Sequence, residues 1–272
     1  MNIKGIGICE WALPTPMRGP DCCKLAKDYG LKAVELELGA PKENFPLANP
    51  YVIEAYREAR AKYDITYTGV AVNLTDFYPM TAPSGYPERE LVDYALRRGI
   101  DAAYDLSIPL IHVPSFCESD INTEEDLINT AQCLRYACDY AAEKGIFVCT
   151  ENHLDTERQL REIELVNREN FKIYFDTQNY CLNGLNTQEI LPPIFAYIAE
   201  VHVKDGVDQV STHLLGEGTS DVFSTLRLLE ELRYDGWVIL ENYYSRAPLC
   251  GRADNPYDLL KRDIEVLTQW YD

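Results

Sequence analysis

The chain has 272 residues, 46% of them hydrophobic, and its 44 acidic against 25 basic side chains give a net charge of −19. That apolar content can build a sizeable core, yet no run approaches the roughly 18 consecutive apolar residues that span a bilayer. So acidic a surface repels phosphodiester backbones and gains nothing from counterion release, so neither a nucleic-acid nor a membrane partner is expected.

The amino-terminal run Met1-Asn2-Ile3-Lys4-Gly5-Ile6-Gly7-Ile8 reads as a strand, without the long apolar segment and cleavage site of a secretory leader. A cytoplasmic location is therefore expected. Strands are predicted near 3–9, 32–38, 65–72, 109–114, 146–151, 171–176, 199–204 and 236–241. Amphipathic helices alternate with them near 20–29, 50–63, 86–106, 124–143, 156–168, 187–197, 219–233 and 256–270. Thr123 ahead of Glu124 and Glu125 and Thr187 ahead of Glu189 mark helix starts, and Asn255-Pro256 puts a proline in a first turn. Gly30, Gly99 and Gly145 are expected to end or interrupt helices shortly before the next strand. Nine scattered cysteines without a Cys-x-x-Cys pair indicate reduced, mostly buried thiols.

Eight strand–helix repeats argue for a parallel sheet covered by helices. Closure gives an α/β fold, a single (β/α)8 TIM barrel occupying 1–272 as one domain. Cys9-Glu10-Trp11 follows the first strand where a dinucleotide fingerprint would stand, so a Rossmann site has no support.

In such barrels functional groups sit at the C-terminal ends of strands. Glu151, Asp176, His202 and Glu241 lie at or one residue from such ends, 25, 26 and 39 residues apart. The first two gaps match one strand–helix repeat, and a polar loop after Lys204 stretches the third. Three carboxylates and an imidazole at one mouth suit one divalent cation, with Mn²⁺ the leading choice and Mg²⁺, Co²⁺ or Zn²⁺ also compatible. Lys204, two residues after His202, points to the same side of the strand. It could hold a substrate oxyanion or pair with a ligand carboxylate. His153 and His112 could bind substrate at the mouth or be satisfied structural histidines. Trp11 could stack on a sugar face. Gly216 and Gly218 could form an anion nest, but nearby Asp205, Asp208, Glu217 and Asp221 favour an uncharged polyol over a sugar phosphate.

Glu151-Asn152-His153, Phe175-Asp176-Thr177, Val201-His202-Val203-Lys204-Asp205, Leu215-Gly216-Glu217-Gly218 and Gly236-Trp237-Val238-Ile239-Leu240-Glu241 occur in this order. On these motifs the chain resembles, over essentially its whole length, the xylose-isomerase-like TIM-barrel sugar isomerase/epimerase superfamily. That superfamily includes ketose 3-epimerases, inosose dehydratases and endonuclease IV-like barrels. The resemblance implies one divalent metal ion held by Glu151, Asp176, His202 and Glu241, with Glu151 and Glu241 as the catalytic acid/base pair. It implies isomerisation or epimerisation of a small sugar or cyclitol, by proton abstraction next to a carbonyl through a metal-stabilised enediolate. A homo-oligomer, dimer or tetramer, goes with it. Glu157 resembles a substrate-contacting glutamate of the epimerases, although a first-turn helix glutamate fits it equally. Those enzymes carry a histidine three residues after the aspartate. This chain has Asn179, which can hydrogen-bond a hydroxyl but supplies no proton near neutral pH. A lyase of the same superfamily, inosose dehydratase-like or eliminating from a keto-glycoside, is the alternative. An endonuclease IV-like nuclease is remote, because four histidines are too few for its multi-zinc cluster.

Overall fold

A computed structural model describes residues 3–14 and 19–271. Met1 and Asn2 of the predicted first strand and the terminal Asp272 lie outside the described residues. Among the described residues eight strands are present: β1 (Gly5–Cys9), β2 (Ala33–Glu37), β3 (Thr66–Ala71), β4 (Leu110–Pro114), β5 (Phe147–Glu151), β6 (Phe171–Asp176), β7 (Ile198–Val203) and β8 (Trp237–Leu240). They follow one another in sequence order around a closed barrel. β1 pairs in parallel with both β2 and β8, in the register Cys9↔Glu35 on one side and Ile8↔Leu240 on the other. Strands covered on both faces need near-continuous apolar runs, and β4 is buried at every position.

The helices are α1 (Asp21–Asp28), α2 (Pro50–Tyr63), α3 (Pro87–Asp105), α4 (Glu124–Ala142), α5 (Thr156–Val166), α6 (Asn179–Leu182), α7 (Thr187–Ile194), α8 (Val222–Glu231) and α9 (Pro256–Tyr271). The four-residue α6 has too short a pattern to be seen in the sequence. α4 opens with a reciprocal capping box between Thr123 and Asp126. α7 begins at Thr187 as expected, capped by Asn186, whose side-chain oxygen accepts from Gln188 N at 3.0 Å. One local expectation is corrected. Gly99 lies inside α3 and does not end it. A Cβ there would meet Val72 Cγ2 at 2.8 Å, so the glycine serves close packing. Gly30 and Gly145 follow helices at φ +79° and +68°, the left-handed region that stops a helix cheaply.

Two compact units make up the chain. One comprises Met1–Glu35, Glu58–Tyr67 and Phe175–Asp272, the other Leu36–Arg57 and Thr68–Tyr174. The core of the first includes Ile8, Val34, Val201, Val238, Leu240, Leu226 and Leu260, and that of the second Val70, Leu96, Ile111, Val113, Leu134 and Val148. All nine cysteines are free thiols, and six are buried. Among the described residues no helix is long and apolar enough to cross a membrane.

A buried carboxyl lies beneath the end of β5. Glu162 of α5 is fully buried and accepts from Asn152 Nδ2 at 3.1 Å and Gln159 Nε2 at 2.8 Å. Burial raises its pKa from 4.5 to about 7. Between those values the folded chain binds more protons than the unfolded one, so Glu162 makes stability fall as pH rises through this window. Glu162→Gln should remove that component. The urea midpoint of the wild type is expected to drop more between about pH 5 and pH 7 than that of the variant. Parallel profiles would refute the assignment.

Candidate active site

In the first unit the ends of β6, β7 and β8 bring Asp176, His202 and Glu241 together, one ligand atom from each lying within 4.8 Å of the others. Period-2 alternation sends His202 and Lys204 to the same side of the chain. The packing around them is close: a Cβ on Gly7 would meet Ile239 Cδ1 at 2.7 Å and the Ala33 carbonyl oxygen at 3.0 Å. Asp176 Oδ1 accepts from the backbone N–H of Gln178 at 2.8 Å and of Asn179 at 2.6 Å. That fixes the carboxylate with Oδ2 3.3 Å from Lys204 Nζ. Glu241 Oε2 lies 2.5 Å from the same ammonium and 3.3 Å from His202 Nδ1. Glu241 Oε1 accepts from Trp11 Nε1 at 3.0 Å, and the Trp11 ring meets the His202 ring edge-on at 6.2 Å.

Two residues of this cluster were not anticipated. Glu35 is fully buried, with Oε2 2.7 Å from His202 Nε2, and Cys9 Sγ lies 3.3 Å from the same nitrogen. Burial pushes the Cys9 thiol well above its ordinary pKa, outweighing the pull of His202, so the sulfur keeps its proton. The sequence did hold a signal for Glu35: one carboxylate inside Ala33-Val34-Glu35-Leu36 of a strand buried on both faces must have a partner.

The charges determine what the cluster can accept. Glu35, Asp176 and Glu241 are buried carboxylates with one ammonium, Lys204, among them. With a neutral imidazole this leaves two negative charges, which one divalent cation balances. Lys204 Nζ already occupies a cationic position between Asp176 and Glu241. Hard oxygens and one imidazole form a suitable donor set.

In the second unit Glu151, buried at the end of β5, lies 3.0 Å from His112 Nε2, and the Tyr174 ring packs on that imidazole at 4.6 Å. His112 therefore faces a glutamate. His153 is part-exposed, 3.0 Å from Asp120 and stacked on Phe116. Glu157 is exposed on the first turn of α5, in a surface groove with Glu124, Arg158 and Arg161. Of the predicted substrate contacts, Lys204 and Trp11 thus join the acidic cluster, Asn179 supports it through its main chain, and His153 and Glu157 face outward.

The glycine loop after β7 is not an open anion nest. The buried Asp205 carboxylate accepts from the N–H groups of Gly206, Gly216, Gly218 and Ser220 at 2.8–3.1 Å. A Cβ on Gly218 would sit 2.2 Å from Asp205 Oδ1, so the glycine is needed for this internal cap. The amides that could cradle a phosphate are taken by the chain's own carboxylate.

A closed parallel barrel with acidic and imidazole groups at the strand ends defines a class of TIM-barrel proteins with a polar site at the C-terminal rim. Residues 23–270 match the family described as Xylose isomerase-like TIM barrel, and the chain belongs to that family. It is 29% identical over 226 residues to a 2-epi-5-epi-valiolone 7-phosphate 2-epimerase of Actinoplanes sp., covering 82% of this chain and 81% of the relative. Among solved structures it resembles a D-allulose 3-epimerase from Methylomonas sp. in complex with D-allulose. There the TM-score is 0.76 and the identity 18%, over 99% of this chain and 98% of the other. It also resembles a probable 3-DHS dehydratase from Bacillus anthracis, with TM-score 0.73 and 14% identity over 97% and 98%. At these identities the two structures establish likeness of fold.

Removing Lys204 should expose the charge imbalance. In metal-free buffer, Lys204→Met leaves Asp176 and Glu241 without their ammonium, and a loss of about 3–5 kcal/mol at neutral pH is expected. Urea unfolding of the two proteins checks this; an unchanged midpoint would show that the ion pairs carry little.

Proposed function

We propose that the protein is a divalent-metal-dependent isomerase or epimerase of a small carbohydrate or cyclitol, acting by proton abstraction next to a carbonyl. The observation carrying this reading is the buried Asp176–His202–Glu241 cluster, which together with Glu35 and Lys204 has two surplus negative charges, the ammonium lying between Asp176 and Glu241. Glu151 is proposed as the fourth ligand, supported by its burial at the end of β5, the strand next to β6 in the barrel. A bound divalent cation would polarise the substrate carbonyl and stabilise the negative charge that develops there. Mn²⁺ remains the leading choice, with Mg²⁺, Co²⁺ or Zn²⁺ compatible with the same donors.

The chain's own groups supply the proton chemistry. Glu241 is fixed through Oε1 by Trp11 and turned through Oε2 towards Lys204 and His202. Glu151 is oriented by His112. One glutamate takes the proton from the carbon next to the carbonyl. The other returns it, to the opposite face for an epimer or to the neighbouring carbon for an aldose–ketose pair. Lys204 is the side chain placed to balance an enediolate oxygen once its carboxylate partners are engaged. The curated relative, named as a 2-epimerase, supports epimerisation. Its substrate is a phosphate. In this chain the amides of the β7–α8 loop are occupied by Asp205, which supports an uncharged group at that loop.

A lyase is the second reading, supported by the likeness to the probable dehydratase and by Asn179, which cannot return a proton near neutral pH. The first proton abstraction would be shared, and a leaving group would then be expelled.

Ketoses, inososes and keto-glycosides screened with Mn²⁺, Mg²⁺ and Co²⁺ in deuterium oxide test both readings. Exchange of the α-hydrogen is expected in the wild type and should fall by at least about 10²-fold in Glu151→Gln and in Glu241→Gln. Chelation should abolish it and added metal restore it. Exchange surviving in both variants defeats the acid/base assignment, and loss of one water from the product mass selects the lyase.

A further inference from the structure

Glu35 has no part in the ligand set proposed above, yet the fold spends a fully buried carboxylate on it. A carboxylate held out of water costs several kcal/mol unless partners compensate it. Its Oε2 is held around one imidazole nitrogen, 2.7 Å from His202 Nε2 and 3.5 Å from the Cys9 thiol, with that thiol itself 3.3 Å from Nε2. Cys9 and Glu35 are register partners on β1 and β2, so strand pairing sets this contact. On the opposite side of the ring, Nδ1 is 3.3 Å from Glu241 Oε2. Trp11 meets the ring edge-on at an interplanar angle of 80°.

Each imidazole nitrogen has a distinct neighbour. Carboxylates are acceptors only, and of the two beside the ring Glu35 is within close hydrogen-bond distance of Nε2 at 2.7 Å while the Glu241 oxygen stands 3.3 Å from Nδ1, so the geometry favours the hydrogen on Nε2. A neutral imidazole has a single N–H, which leaves the Nδ1 lone pair directed at the side where Asp176 and Glu241 lie. We propose that Glu35 is the positioning residue of the cation site: by accepting the Nε2 proton of His202 it selects the tautomer whose Nδ1 lone pair faces Asp176 and Glu241. This rests on the reading of those residues as cation ligands. Carboxylate partners of this kind orient a ligating histidine and raise its basicity, and their loss typically weakens metal affinity by about 10–100-fold. The thiol of Cys9, 3.3 Å from Nε2, does not compete strongly for its proton, because S–H is a weak donor and sulfur a weak acceptor.

The variant is Glu35→Gln, whose amide is similar in size but can also donate to Nε2 and so support the other tautomer. Two measurements are paired. Calorimetric titration with Mn²⁺ alone should show affinity weakened by about 10–100-fold in the variant, with unfolding midpoints confirming that both proteins are folded. Nitrogen-15 spectra of the metal-free wild type, where only four histidines need assignment, should show His202 neutral and protonated at Nε2. The variant should lose that preference. Unchanged Mn²⁺ affinity in folded Glu35→Gln, or a wild-type His202 protonated at Nδ1, overturns the proposal. If the wild type binds no Mn²⁺, the cation reading itself has failed, and a wild-type ring protonated at Nε2 would then limit Glu35 to a structural bond, which also overturns it. If the variant does not fold, the wild-type spectrum decides alone.

Discussion

Burying charge is the constraint on which this protein's site depends. Glu35, Asp176 and Glu241 are withdrawn from water in one unit, with a single ammonium and an imidazole between them. Desolvated carboxylates repel one another and cannot relax into solvent, so each must be fixed by partners arranged in advance. Asp176 has two main-chain N–H groups at the start of α6, Glu241 has the Trp11 indole, and Glu35 has His202. The residues around the cluster follow from this need.

The segments behind the two glutamates repeat one device. Glu151 and Glu241 are each followed by an asparagine whose amide nitrogen donates to a buried carboxyl on the helix that follows. Asn152 reaches Glu162 of α5, and Asn242 reaches Asp263 of α9 at 2.8 Å, where Tyr244 OH donates to the same oxygen. Burial raises both acids, Glu162 to about 7 and Asp263 to about 6. A side-chain amide both donates and accepts, so it can tie the chain leaving a strand to the helix beside it and satisfy a loop amide as well. Asn242 Oδ1 accepts from Asp205 N at 3.1 Å, linking the end of β8 to the loop that Asp205 closes.

That loop shows how a pattern can be legible and its use still be misread. Two glycines before Thr219-Ser220 resemble an anion nest, and the amides do converge on an anion. The anion is the side chain of Asp205, eleven to fifteen residues away in the chain. An internal carboxylate serves the nest without the ordering cost of binding a free ligand.

The sequence by itself determined the repeat: eight apolar runs at strand length, the helices between them, and three carboxylates and an imidazole at or beside consecutive strand ends. Those features are written in neighbouring residues, through side-chain periodicity and the backbone chemistry of caps and glycines. Tertiary structure alone decided the partners. Glu35 and His202 are 167 residues apart, and nothing local couples them. Lys204 could have met a substrate or a carboxylate, and only the packing of β7 against β8 put its ammonium 2.5 Å from Glu241. Gly99 reads as a helix breaker until Val72 is placed against it. Local patterns set which backbone forms, whereas the burial of charge and the close approach of side chains depend on which distant segments the closed sheet makes adjacent.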